Sequence, residues 1–87
     1  MKYTCPCCGY KTLDRDPPGT FQVCKICFWE DDKIQFDDPE YKGGANEISL
    51  REAQRNFLKI GASRERFKGC AHKPTRRDVK DRHWKLL

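Results

Sequence analysis

What this 87-residue chain lacks narrows what it can be. It has no apolar run near the roughly 20 residues that cross a bilayer. Its opening "MKYTCPCC" has a single lysine and none of the apolar stretch of a secretory signal. We therefore expect a cytoplasmic protein with no membrane partner, in a compartment that keeps thiols reduced. Apolar side chains are scarce too: hydrophobic residues make up 37% and charged residues 36%. A domain of this size buries only about two thirds of its surface on folding. A purely apolar core is then marginal, and a metal, disulfides or a partner must supplement it. The sequence also holds no Ser/His/Asp set and no glycine-rich phosphate loop, so the expectation is that it is not an enzyme.

What it does have is six cysteines. Cys5-x2-Cys8 and Cys24-x2-Cys27 are separated by residues 9–23, the spacing of a four-thiolate metal site. A two-residue gap lets one tight turn aim both sulfurs the same way. Pro6 pre-sets the entry φ, and Gly9 takes a conformation other residues resist. In reducing cytosol this pattern means Zn2+ rather than disulfides. Because Cys5-x-Cys7 is too short for such a turn, Cys7 is the spare thiol. It is either a small half-buried residue or an oxidation-sensitive redox neighbour of the site. A glutaredoxin reading of "CPCC" fails, because Gly9, Pro17, Pro18 and Gly19 come too soon for the long helix it requires.

Iron is the alternative metal. "KYTCPCCGY" resembles the first knuckle of rubredoxins, which hold Fe in four thiolates and carry electrons. The second knuckle departs from that pattern, with Phe28 following Cys27 where rubredoxins have glycine. Tetrahedral sulfur suits either metal.

Residues 3–36 read as short strands. Lys2–Thr4 and Tyr10–Leu13 flank the first pair, "DRDPPG" forms a turn, and Thr20–Val23 runs into the second pair. Residues 28–46 read as a wrapping loop with a short strand at Lys33–Phe36. One amphipathic helix is expected over about 50–60. "SLRE" has capping-box spacing, Ile48 and Ala53 can staple its start, and Leu50, Ala53, Phe57 and Ile60 recur on one face. Gly61 suits a left-handed stop. A turn near Ser63–Phe67 follows, then a last helix capped by Thr75 over Arg76–Lys85. Residues 1–75 are expected to form the domain, and 76–87 a basic C-terminal extension.

Charge is divided along the chain. Residues 1–50 carry six Lys/Arg and nine Asp/Glu, a net of −3; residues 51–87 carry twelve and four, a net of +8. Two constellations follow. "FWEDD" places Trp29 beside Glu30, Asp31 and Asp32, either as a site for a basic partner or second metal or, more simply, as a packed aromatic with solvated acids. Arg51, Arg55 and Lys59 recur every four residues, a stripe that suits phosphate contact or docking on the chain's own acidic loop. A protein partner is the favoured reading, nucleic acid the alternative. Cys70 lies among Lys68, His72 and Lys73 and reads as a free thiol. His72 and His83 have no ligand spacing to either pair.

Taken in order, "CPCCGYKTL", "PPGT", "CKICFWEDD", "GGAN" and "SLREAQRNFLKIGA" resemble the cysteine-rich CPCC family of small bacterial proteins, over residues 3 to about 75. The resemblance implies a zinc-ribbon-like unit joined to a helix, and no substrate. The expected fold is small α+β: a rubredoxin-like zinc ribbon of antiparallel β structure with one amphipathic helix packed on it. Its expected function is a structural zinc-binding adaptor module.

Overall fold

The protein is described over all residues 1–87 by a computed structural model. It is a small α+β unit. Two antiparallel strands, β1 (Tyr3–Thr4) and β2 (Lys11–Leu13), flank the first cysteine turn. They pair Tyr3 with Leu13 and Thr4 with Lys11, with a bulge between. This ladder is too short to stand alone in water, so it depends on what packs against it.

The expected strand at Thr20–Val23 is reduced to a single bridge, Val23 to Glu30. Phe21 adopts φ 58°, which interrupts an extended strand. The segment still pairs: Phe21 N–H donates to Asp31 O at 2.8 Å, and Asp31 N–H to Gln22 O at 2.9 Å.

Lys33–Phe36 is not a strand but part of a short helix, α1 (Lys33–Asp37). Asp32 decides this. Its Oδ1 accepts from the Ile34 and Gln35 amides at 2.8 and 3.3 Å, satisfying the free N–H groups of a first helical turn. Gln35 then points into the protein, fully buried, and bonds the loop that returns over it.

The main helix, α2 (Leu50–Ile60), forms where expected. Ser49 Oγ accepts from Glu52 N–H at 3.1 Å, and Gly61 closes the end at φ 76°. Leu50 and Ala53 are buried, with Phe57 and Ile48 packed against the core. That core is Leu13, Ile26, Trp29, Leu50 and Ala53 gathered around five cysteines. A single 3-10 turn, Glu65–Phe67, follows α2.

No helix forms over Arg76–Lys85. Thr75 organises a turn instead: its N–H donates to Asp78 Oδ2 at 2.7 Å, and its Oγ1 accepts from Arg77 N–H at 3.2 Å. The chain then runs extended along β2. Lys11 N–H donates to Val79 O, and Asp81 N–H donates to Gly9 O, both at 2.8 Å. The free edge of β2 offers these residues backbone partners that an isolated C-terminal helix would forgo.

Candidate metal centre

Two turns of the same design present the cysteines. In the first, Cys5 N–H donates to Tyr10 O and Gly9 N–H to Cys5 O, both at 2.9 Å. In the second, Cys24 N–H donates to Trp29 O at 2.9 Å and Phe28 N–H to Cys24 O at 2.8 Å. Gly9 and Phe28 hold the same place and both have positive φ, 80° and 69°. Phe28 therefore accepts a backbone conformation that glycine takes freely, at a cost of order 1–3 kcal/mol. Its ring is held 4.9 Å from that of Phe67, which helps keep it there.

The turns bring Cys5, Cys8, Cys24 and Cys27 together, with all four sulfurs within 4.8 Å of one another and fully buried. Cys5 Sγ lies 3.7 Å from Cys27 Sγ, and Cys8 Sγ lies 3.7 Å from Cys24 Sγ. A tetrahedral metal with bonds of about 2.3 Å to sulfur sets its ligands about 3.8 Å apart. Two of the sulfur pairs already stand at that separation, and the others close to it within about 1 Å. As thiols alone they form a frustrated set: burial pushes Cys5 and Cys27 well up, while hydrogen bonds from Cys27, Cys5 and Cys8 pull Cys24 down. Four neighbouring thiolates in a dry site require a cation.

Thr12 joins the site, which its place in the sequence gave no reason to expect. Its buried Oγ1 is 3.0 Å from Cys24 Sγ, in position to donate to the thiolate. Such a partner orients a ligand and tunes its basicity. Thr12→Val is expected to weaken metal affinity by about tenfold or more, with Thr12→Ser close to wild type. Competition against a chelating dye measures both.

The remaining candidates are placed as follows. Cys7 is outside the four-sulfur group yet completely buried, and burial pushes its thiol up. Trp29 is buried at 2% exposure and belongs to the core, so it forms no surface site. Asp31 and Asp32 are buried as well, and neither is solvated. Asp31 Oδ2 accepts from Thr20 N–H and Oγ1–H at 3.0 and 2.8 Å, while its Oδ1 has no partner. Asp32 caps α1 through Oδ1 and accepts from Ala45 N–H through Oδ2 at 2.8 Å. Glu30 is half-buried, its backbone N–H and C=O both bonded to Asn46. These acids do not assemble a second metal site; the four cysteines are the one cluster with that geometry. Of the basic stripe, Arg51 pairs with Glu40 on the acidic loop, while Arg55 and Lys59 are exposed and make no ion pair. Cys70, His72 and His83 are exposed and outside the cluster.

Asn46 and Gln54 were not singled out from the sequence. Asn46 ties the loop to Glu30, the residue after Trp29; Gln54 Nε2 donates to Pro6 O inside the first turn at 2.9 Å. Polar residues of this kind carry no spacing signal. Only Gln54, one place beyond Ala53 on the buried face, stood where helical periodicity hinted at burial.

No curated protein matches the chain significantly. The family described as Cysteine-rich CPCC matches over residues 3–78, a span that includes all four clustered thiols and α2. The chain belongs to the Cysteine-rich CPCC family.

Proposed function

We propose that the four-cysteine cluster holds one Zn2+ in a structural role and that the protein is a small cytoplasmic binding module, an adaptor for another protein. The observation carrying this reading is the sulfur cluster itself, four buried thiols within 4.8 Å of one another, two pairs of them at the 3.7 Å that a tetrahedral metal requires. Four cysteine ligands fill a tetrahedron and leave no position for an activated water, which argues against catalysis at the metal. The adaptor role draws on the outward face of α2. Arg55, Leu58 and Lys59 lie at i, i+3 and i+4, all exposed, with Leu58 at 60% and both cations free of acid partners. A rigid helix presenting one apolar side chain beside two free cations suits an acidic protein surface.

Native mass spectrometry with a visible spectrum tests the metal assignment on protein purified anaerobically with both metals supplied. The expected result is one zinc per chain, no colour, and free thiols at Cys7 and Cys70 only. A red protein with one iron and a reversible couple would replace this reading with electron transfer. The adaptor reading predicts retention of an acidic protein through α2. Affinity for oligonucleotides that falls steeply with salt would point to nucleic acid instead.

A further inference from the structure

Residues 79–87 lie beyond the span matched by the family and close over the first cysteine turn. Three of the four carbonyls in residues 6–9 receive hydrogen bonds from them. Trp84 Nε1–H donates to Pro6 O, Lys80 Nζ to Cys8 O and Asp81 N–H to Gly9 O, each at 2.8 Å. The Lys80 ammonium sits 4.5, 4.8 and 5.9 Å from the ring centroids of Trp84, Tyr10 and Phe57. Trp84 presses so closely on Gly9 that a Cβ there would lie 2.6 Å from the indole. Thr4 Oγ1–H donates to Asp81 Oδ2 at 2.6 Å, and Leu87 N–H to Gln54 Oε1 at 2.8 Å. The second turn is covered differently, by Phe67 and by His72 N–H bonded to the Lys25 and Ile26 carbonyls, all inside the matched span.

We propose that residues 79–87 form a latch on the first cysteine turn that sets how fast solvent, chelators and oxidants reach Cys7 and the bound metal, with Lys80 and Trp84 as its positioning residues. The proposal rests on the reading of the cluster as a metal centre. The latch is built to open on its own. It contains no helix, and apart from half-buried Asp81 and Trp84 its residues are exposed. Few buried contacts and peripheral backbone bonds mark the segments that open locally, without global unfolding. Lifting it strips the Cys8 and Gly9 carbonyls of their donors and leaves Pro6 O with Gln54 Nε2–H alone, while the β1–β2 pairing, the backbone of α2 and the second turn keep their own hydrogen bonds. The cation–π contacts make the latch sensitive to the charge on Lys80.

The test uses full-length protein loaded with one zinc, its content measured first so that failure of the metal reading is seen separately. Two rates are followed: zinc transfer to a chromogenic chelator, and iodoacetamide labelling of Cys7 mapped by mass spectrometry. Trp84→Ala is expected to raise both about tenfold, the scale of losing a partner outside the ligand shell. Lys80→Gln raises them less, and Lys80→Arg restores near wild-type rates. Exposed Cys70 serves as the internal reference and labels equally in all. Phe67→Ala, which disturbs the cover of the second turn, is the matched destabilised control and does not expose Cys7 first. Rates for Trp84→Ala within twofold of wild type would overturn the latch. So would Cys24 and Cys27 labelling in step with Cys7, since that is global unfolding rather than local opening.

Discussion

A strong chelator added to the metal-loaded protein is expected to unfold it, and Cys24→Ser is expected to give the same unfolded spectrum with no chelator present. The size of the effect follows from comparing two magnitudes. Structural zinc binding contributes roughly 10–16 kcal/mol in small zinc-dependent folds, while the whole stability of a domain is roughly 5–15 kcal/mol. Here the metal's share is at the high end, because the apolar core is small: Leu13, Ile26, Trp29, Leu50 and Ala53 close around cysteines rather than around one another. Without a cation the burial that pushes Cys5 and Cys27 up leaves protonated thiols in place of strong ligand bonds. Cys24 is the ligand to test, since it alone holds the Thr12 contact and anchors the second turn through Trp29. Cys7→Ser is the contrasting variant and should keep both metal and fold, because Cys7 stands outside the four-sulfur group. Trp29 supplies the readout: buried at 2% exposure, it should lose its near-ultraviolet dichroism and shift its emission to the red. A near-ultraviolet signal that persists with the metal demonstrably gone would sink the claim of a structural metal.

The parts of this fold that the sequence reveals are those governed by local rules. The cysteine spacing locates the cluster because two-residue turns constrain sulfur positions directly. Ser49, the Leu50–Ile60 periodicity and Gly61 locate α2 because capping and amphipathicity act within a few residues. The misreadings arise where partners distant in the chain join or override such local signals. Lys33–Phe36 alternates like a strand, but Asp32 supplies a cap and Gln35 finds its partners at residues 41–48. Thr75 looks like the start of a helix, yet β2 and the aromatic rings of Tyr10 and Phe57 draw Lys80 into an extended path. The acids of "FWEDD" look like a surface patch until Thr20 and Ala45, 11 and 13 residues away, donate to them. Phe28 is the subtlest case. It breaks the sequence pattern of paired glycine-bearing turns, while its backbone, at φ 69°, preserves the geometry.

Gln35→Leu is expected to be the most damaging substitution outside the metal ligands, lowering stability by roughly 3–4 kcal/mol and the melting temperature of the metal-loaded protein by more than about 10 °C. Leucine conserves the volume, so the loss is almost entirely one of hydrogen bonds. Gln35 Nε2 donates to the carbonyls of Tyr41, Asn46 and Ile48 at 3.1, 3.0 and 2.9 Å. Its Oε1 accepts from Asn46 N–H and Nδ2–H at 3.0 and 2.9 Å. Exposed Tyr41 can bond water instead, but Asn46 is buried and its groups are left unsatisfied. The damage also travels toward the metal. Asn46 holds residue 30 through Glu30 N–H and O at 3.0 and 2.7 Å, one residue beyond the Trp29 carbonyl that bonds Cys24. Faster metal release should therefore accompany the lower melting temperature. Gln35→Glu separates the hydrogen-bond account from packing. A carboxylate keeps the acceptor for Asn46 but sets a negative charge against three carbonyl oxygens, so its folded-state pKa is raised above the unfolded value. The folded state then binds the proton more tightly, and the variant should gain stability as pH falls from 8 to 6, a range in which wild type has no such term at this position. A Gln35→Glu protein whose stability is flat across that range, or a Gln35→Leu protein as stable as wild type, would show that the buried amide is a filler of space rather than the tie between α1 and the loop over the second turn.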